Sequence, residues 1–183
     1  GLAACSTADK LLDVSNPAQL DESLLDDKAL VKVLVGGVVG DFQTMYSDPF
    51  VWRGSMFTDE QITGINWEQT ARLSQRIVQY DEGDADNMFS QLSRARSQGD
   101  SIAGRMKGGL SDSPSNDPEL ALVLAYAGYS YIALADAMCE ATINIGSVIY
   151  QAPELYGFAI ERFNEAMGIA NAAGAGANLS NKR

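Results

Sequence analysis

Asp59 and Glu60, adjacent carboxylates between Trp52 and Trp67, are the side chains whose types suit acid/base chemistry or ligand contact. Acid/base catalysis by two carboxylates needs them opposed across a substrate, and sequence neighbours do not meet that geometry. The surrounding stretch, Ser47–Asn66, reads as a long irregular crossover that also carries Arg53, Met56 and Phe57. Long loops with aromatic side chains are where binding sites are sought, so Trp52, Trp67, Asp59 and Glu60 are candidate ligand or partner contacts. The competing reading is that these aromatics pin the crossover onto its helices. A second acidic group, Asp81, Glu82, Asp84 and Asp86, lacks the twelve-residue spacing of a calcium loop and reads as a solvated helix start. No metal site and no cofactor follow from it. The chain has no histidine. Imidazole is the commonest general base and metal ligand, so its absence argues against an enzyme.

Two cysteines remain. Leu2-Ala3-Ala4-Cys5 has the form of a bacterial lipobox, in which Cys5 becomes an acylated N-terminus ahead of a polar tether. Alternatively Cys5 pairs with Cys139, within one chain or between two. Both place the chain outside the cytoplasm, at the bacterial surface or beyond it. Cys139 also reads as a small buried residue near a helix end. The net charge of −11 argues against nucleic acid and anionic membrane surfaces. With 46% hydrophobic residues the chain can bury a core, and no stretch reads as a membrane span.

Helices must position these groups. Periodicity and caps predict four, over 28–46, 86–107, 118–139 and 152–173, giving an all-α fold. Pro17–Leu25 reads as a short helical turn, and Trp67–Tyr80 has mixed helical and extended character. Gly36-Gly37, inside the first helix, implies close approach of another backbone. The last two helices read as an antiparallel hairpin of tetratricopeptide type. Ala159, Phe163 and Ala166 have the A-x3-F-x2-A spacing, and Gly128 with Tyr131 gives G-x-x-Y on the preceding helix. The connection between them, Glu140–Gln151, is longer than a standard repeat uses. The division expected is an arm over 1–16, a helical-repeat domain over 17–173 and a small-residue tail over 174–183.

Several segments in this order resemble the N-terminal part of the SusD/RagB family of outer-membrane lipoproteins. They are the lipobox, Asp13-Val14-Ser15-Asn16-Pro17, the helix Ala29–Tyr46 and Phe57-Thr58-Asp59-Glu60. Leu92-Ser93-Arg94-Ala95-Arg96, Ala127-Gly128-Tyr129-Ser130-Tyr131 and Ala159–Ala166 continue the series. The resemblance implies tetratricopeptide-like hairpins capping a barrel transporter that imports glycans or similar nutrients. Family members continue through further hairpins and a large irregular lobe, whereas this sequence covers two hairpin units. The leading expectation is therefore a non-enzymatic surface protein acting through protein contacts. Self-assembly into an oligomer or filament heads that expectation, helped by an alanine face at Ala170, Ala172 and Ala173. The alternative is nutrient binding, of a glycan or peptide, beside an outer-membrane transporter.

Overall fold

The computed structural model describes residues 22–144 and 148–174. Cys5, the expected arm over 1–16 and the tail beyond Gly174 lie outside the described residues. Short 3-10 turns at Glu22–Asp26 and Lys28–Leu30 lead into α1, Val31–Met45, and the Asp27 side chain caps the second turn by accepting from the Ala29 N–H. A π-helical segment, Tyr46–Trp52, carries the same helix on into α2, Arg53–Phe57. Then come α3, Glu68–Ser74, and α4, Gly83–Arg105, which ends in a wide turn where Gly109 adopts φ 128°. Such a positive φ is open to glycine and strained for other residues. Pro118–Ala137 forms α5, Glu140–Ala141 and Tyr150–Gln151 form β1 and β2, and Ala152–Ala172 forms α6.

The all-α reading stands, with one two-stranded antiparallel hairpin among the described residues, pairing Glu140 with Gln151 and Ala141 with Tyr150. That hairpin occupies the long connection between α5 and α6. The start signals act as their chemistry dictates. Asp117 accepts from the Glu119 N–H with Pro118 in the first turn of α5. Gln151 and Glu154 form a reciprocal capping box on α6.

Two expectations need correction. The crossover Ser47–Asn66 is helical as far as Phe57, because the wide π turn accommodates Pro49, which is buried within it. Trp67–Tyr80 is mixed as expected, helical in α3 and non-helical after Ser74. At Gly36 and Gly37 nothing lies within 4 Å of where a Cβ would stand, so no backbone comes close there among the described residues.

Side-chain pairs fix the helix directions. Along α5 and α6, Asp136 meets Tyr156, Tyr131 meets Phe158, and Tyr129 meets Phe163, so the two run antiparallel. Ile102, Ala103 and Met106 of α4 share one core cluster with Leu120, Val123 and Leu124 of α5. Leu92 and Ala95 share the other with Tyr131, Leu134 and Ala135, which makes α4 antiparallel to α5. Leu34, Val35 and Val38 of α1 join the first cluster and Met45 the second, so α1 runs parallel to α5. The result is an up-down-up-down bundle with α5 at its centre. By length and composition α5 would also serve to cross a membrane, which corrects the expectation that no stretch could. Here it is the core helix, with Leu120, Val123, Leu124 and Leu134 fully buried.

Close approach does occur between α4 and α5. A Cβ on Gly99 would stand 2.8 Å from the Ala127 Cβ and 3.0 Å from its Cα. Because backbone limits the space, Gly99→Ala should destabilise by about 1–3 kcal/mol, less the helix-propensity gain of up to about 1 kcal/mol. Gly168→Ala, where a Cβ meets nothing within 4 Å, is the control and should be stabilising. Urea midpoints check both, and a Gly99→Ala chain as stable as the parent would contradict the tight crossing.

Candidate functional site

The four candidate contact residues are not gathered into one cavity. Trp67 is 69% exposed at the start of α3. Trp52 is half-buried, with the Arg53 guanidinium 5.6 Å from its ring centroid. Asp59, at φ 67°, forms an ion pair with Arg76, whose Nε also donates to the Phe57 carbonyl at 3.1 Å. Glu60 is exposed. The crossover aromatics and acids thus belong to separate local arrangements.

What holds this region is a set of charges that the sequence reading placed in solvent. Glu82 is only 2% exposed and accepts from Arg72 Nε at 3.0 Å and Nη2 at 3.2 Å. Asp84 accepts from Arg53 Nη2 at 3.2 Å and from the Thr70 hydroxyl at 3.2 Å, while Asn87 accepts from Arg53 Nη1 at 3.3 Å. The acidic helix start is therefore partly an internal clamp, tying α2 and α3 to α4. A buried acid survives only when paired, so Arg53 and Arg72 are the reason Glu82 and Asp84 can leave water. Among the described residues no group of three acidic, cysteine or histidine side chains is placed to hold a metal ion.

Cys139 lies just past the end of α5 and is exposed, which corrects the reading of it as a buried residue. Its proposed partner Cys5 is outside the described residues, so the acylated and disulfide alternatives both stay open.

Of the residues with repeat spacing, Gly128 and Phe163 meet across α5 and α6. Tyr131 is 1% exposed, and Ala159 and Ala166 are buried. Phe163 is half-buried and lies over Gly128, where a Cβ would come within 2.8 Å of the ring. The A-x3-F-x2-A spacing predicts Phe163 buried between the helices, and it does pack there, but only partly covered. Ala170 packs into the first core cluster, so the alanine face expected to dock a neighbour is partly internal. A different face of α6 is open instead. Tyr156, Ile160 and Met167 are exposed, the latter two at 59% and 56%, and they share a stripe with Phe163 at helical spacing. Tyr129, 51% exposed, packs edge-on against Phe163 at 5.0 Å and extends the stripe onto α5. From there Tyr126, Phe42, Tyr46 and Phe50 form a continuous series of ring contacts onto α1 and the π segment.

A polar centre lies around Tyr131. Its hydroxyl donates to Asp100 at 2.7 Å, and the Arg162 Nε donates to the other Asp100 oxygen at 2.8 Å. The Arg96 and Arg162 guanidinium carbons each lie 5.8 Å from the Tyr131 ring centroid. Burial, with the bond to Asp100 adding to it, pushes the Tyr131 hydroxyl up to about 12. A cavity of about 410 Å³ opens beside this centre, lined by Arg96, Ser97, Asp100, Lys107, Asn144 and Arg162 among others. By sequence Arg94 and Arg96 read as solvated or paired with the surplus acids and not as ligand-binding, yet Arg96 is 5% exposed. The available signal was its place on the buried face of α4, one residue after Ala95 and four before Asp100. No family model, curated protein or solved structure matches this chain.

Proposed function

We propose that this chain is the helical docking scaffold of a cell-surface nutrient-binding protein of the SusD/RagB kind, working through protein contacts and without chemistry of its own. In this reading α1 with α4, and α5 with α6, are two hairpins of a tetratricopeptide-like array. The observation that carries it is the second apolar face of α6. The helix already buries Leu155, Ala159, Ala166, Ile169 and Ala170 inward, yet presents Tyr156, Ile160 and Met167 outward, with the half-buried Phe163 between them. A repeat array buries its core by stacking neighbours, and an end helix with an apolar outer stripe is a surface on which a further hairpin stacks. The occupant proposed is a helical hairpin with a matching apolar face, joining the scaffold to the ligand-binding and transport parts of a nutrient-uptake apparatus.

The resemblance in the sequence supports the nutrient context, and the lipobox supports the surface location. Self-association is the second reading, favoured because the same stripe can pair with its copy on another molecule. One experiment separates them. A photo-crosslinking residue at Ile160, in the native host, should join this chain to an outer-membrane transporter or nutrient-binding polypeptide. Adducts made only of copies of the chain would establish self-assembly in its place. No adduct, together with unchanged function of an Ile160→Glu, Met167→Lys variant, would overturn the docking face. Both substitutions are at exposed positions and should change stability by no more than about 0.5 kcal/mol.

A further inference from the structure

We propose that the cavity between α4 and α6 is a binding site for a small organic oxyanion, a carboxylate or phosphate ester. Arg96 carries the argument. The residue is 5% exposed, and its Nε is buried without a hydrogen-bond partner among the described residues. The only acid paired with its guanidinium there is Asp100, at 3.8 Å, beyond hydrogen-bond distance. Asp100 is already engaged, one oxygen by Tyr131 and the other by Arg162. Two guanidinium groups therefore share one carboxylate. Arg96, in the cavity wall, has Nη groups that make no hydrogen bond among the described residues and are the donors a ligand could meet, the Nε itself being enclosed. An arginine taken this far out of water needs its charge and its N–H groups satisfied.

Lys107 adds a third cation to the lining. Its ammonium reaches Glu165 at 3.0 Å, so it is neutralised by an acid outside the lining while still facing the opening. Ser97, Ser101 and Asn144 supply neutral hydrogen-bonding groups around the same space. The lining holds Arg96, Arg162 and Lys107 with Asp100 as its acid, while Glu161 and Glu165, outside the lining, stand beside Arg162 and Lys107, so Arg96 is the cation left short of an acceptor among the described residues. The anion-binding capacity is therefore placed on Arg96, in a chain whose net charge is −11. The planar fork of arginine suits bidentate recognition of carboxylate or phosphate, and serines and an asparagine suit hydroxyl groups on the same ligand. The cavity volume, about 410 Å³, accommodates a ligand of roughly monosaccharide size.

Isothermal titration calorimetry of the intact chain with glucuronate, glucose 6-phosphate, inorganic phosphate and glucose tests the site. Glucuronate or glucose 6-phosphate should bind and glucose should not. Binding of inorganic phosphate as tightly as the sugar phosphate would assign the site to the bare anion. Arg96→Met should weaken the bound anion about 10- to 100-fold, the range for a charge-assisted hydrogen bond. Because Arg96 is buried, Lys107→Gln is the companion variant. Its side chain is 44% exposed, so it should weaken binding several-fold with an unchanged unfolding midpoint. Absence of heat with all three anions, or equal affinity in the parent, Arg96→Met and Lys107→Gln chains, would overturn the assignment. The result is independent of whether the outer stripe of α6 docks a protein.

Discussion

Asp84→Ala should destabilise the fold by about 3–5 kcal/mol, the cost of leaving a buried partner charge uncompensated. Arg53 is that partner. Its side chain is 10% exposed and that of Asp84 18%. With Asp84 gone, Arg53 keeps only the Asn87 side chain as an acceptor among the described residues, and its Nε has no partner among them. Thr70, itself buried, loses its acceptor at the same time. The loss should appear as a lower urea midpoint that added salt does not change. Replacing both partners with apolar residues, Arg53→Met with Asp84→Leu, should recover most of the loss, because the desolvation cost disappears together with the attraction. Asp112→Ala is the contrast. Its partner Lys28 and Asp112 itself are 57% and 83% exposed, and exposed pairs contribute at most about 1 kcal/mol. If Asp84→Ala and Asp112→Ala shift the midpoint equally, the clamp is not what anchors α2 and α3 to α4.

The clamp also shows why the crossover was misread. Ser47-Asp48-Pro49 has the residues of a helix stop, and Pro49 lacks the N–H that a regular α-helix interior needs. Local rules therefore end the helix there. The π turn widens the backbone enough for the chain to continue, and that choice depends on packing rather than on local preference. Glu82 and Asp84 look like any acidic helix start, since the arginines that bury them stand at Arg53 and Arg72 in separate helices. Helix ends with their own chemistry were legible. Asp117 with Pro118 opens α5, and Gly109 closes the segment after α4 at a φ that favours glycine. The antiparallel hairpin was legible through Gly128 and Phe163, whose contact is a matter of spacing along two neighbouring helices. The cavity was not, because Arg96, Lys107 and Arg162 converge only after α4 and α6 have both packed on α5.

Tyr131→Ala should be the most damaging single change in the second core cluster, at about 3–5 kcal/mol for the lost aromatic volume. The ring is 1% exposed and contacts Phe158 at 5.6 Å, with the two arginines near it. Truncation opens a cavity among these groups and strips Asp100 of one donor. Tyr131→Phe separates the two contributions. It keeps the ring and removes the hydroxyl, at about 1.5–3 kcal/mol for a hydrogen bond to a charged group. The two variants also differ from the parent in alkali. The folded hydroxyl titrates at about 12, because burial and then the bond to Asp100 oppose its ionisation. An unfolded tyrosine titrates near 10. Since the folded value is the higher one, the stabilisation linked to Tyr131 is fully present below about pH 10. It is lost as pH rises from there through the folded value. Tyr131→Phe has no such proton and should lack that share of the alkaline decline, so the stability gap between it and the parent should narrow between about pH 10 and pH 12. Urea denaturation of both chains across that range gives the comparison. A constant gap, or a Tyr131→Ala loss no greater than that of Tyr131→Phe, would mean that the ring is not a packed element of the bundle.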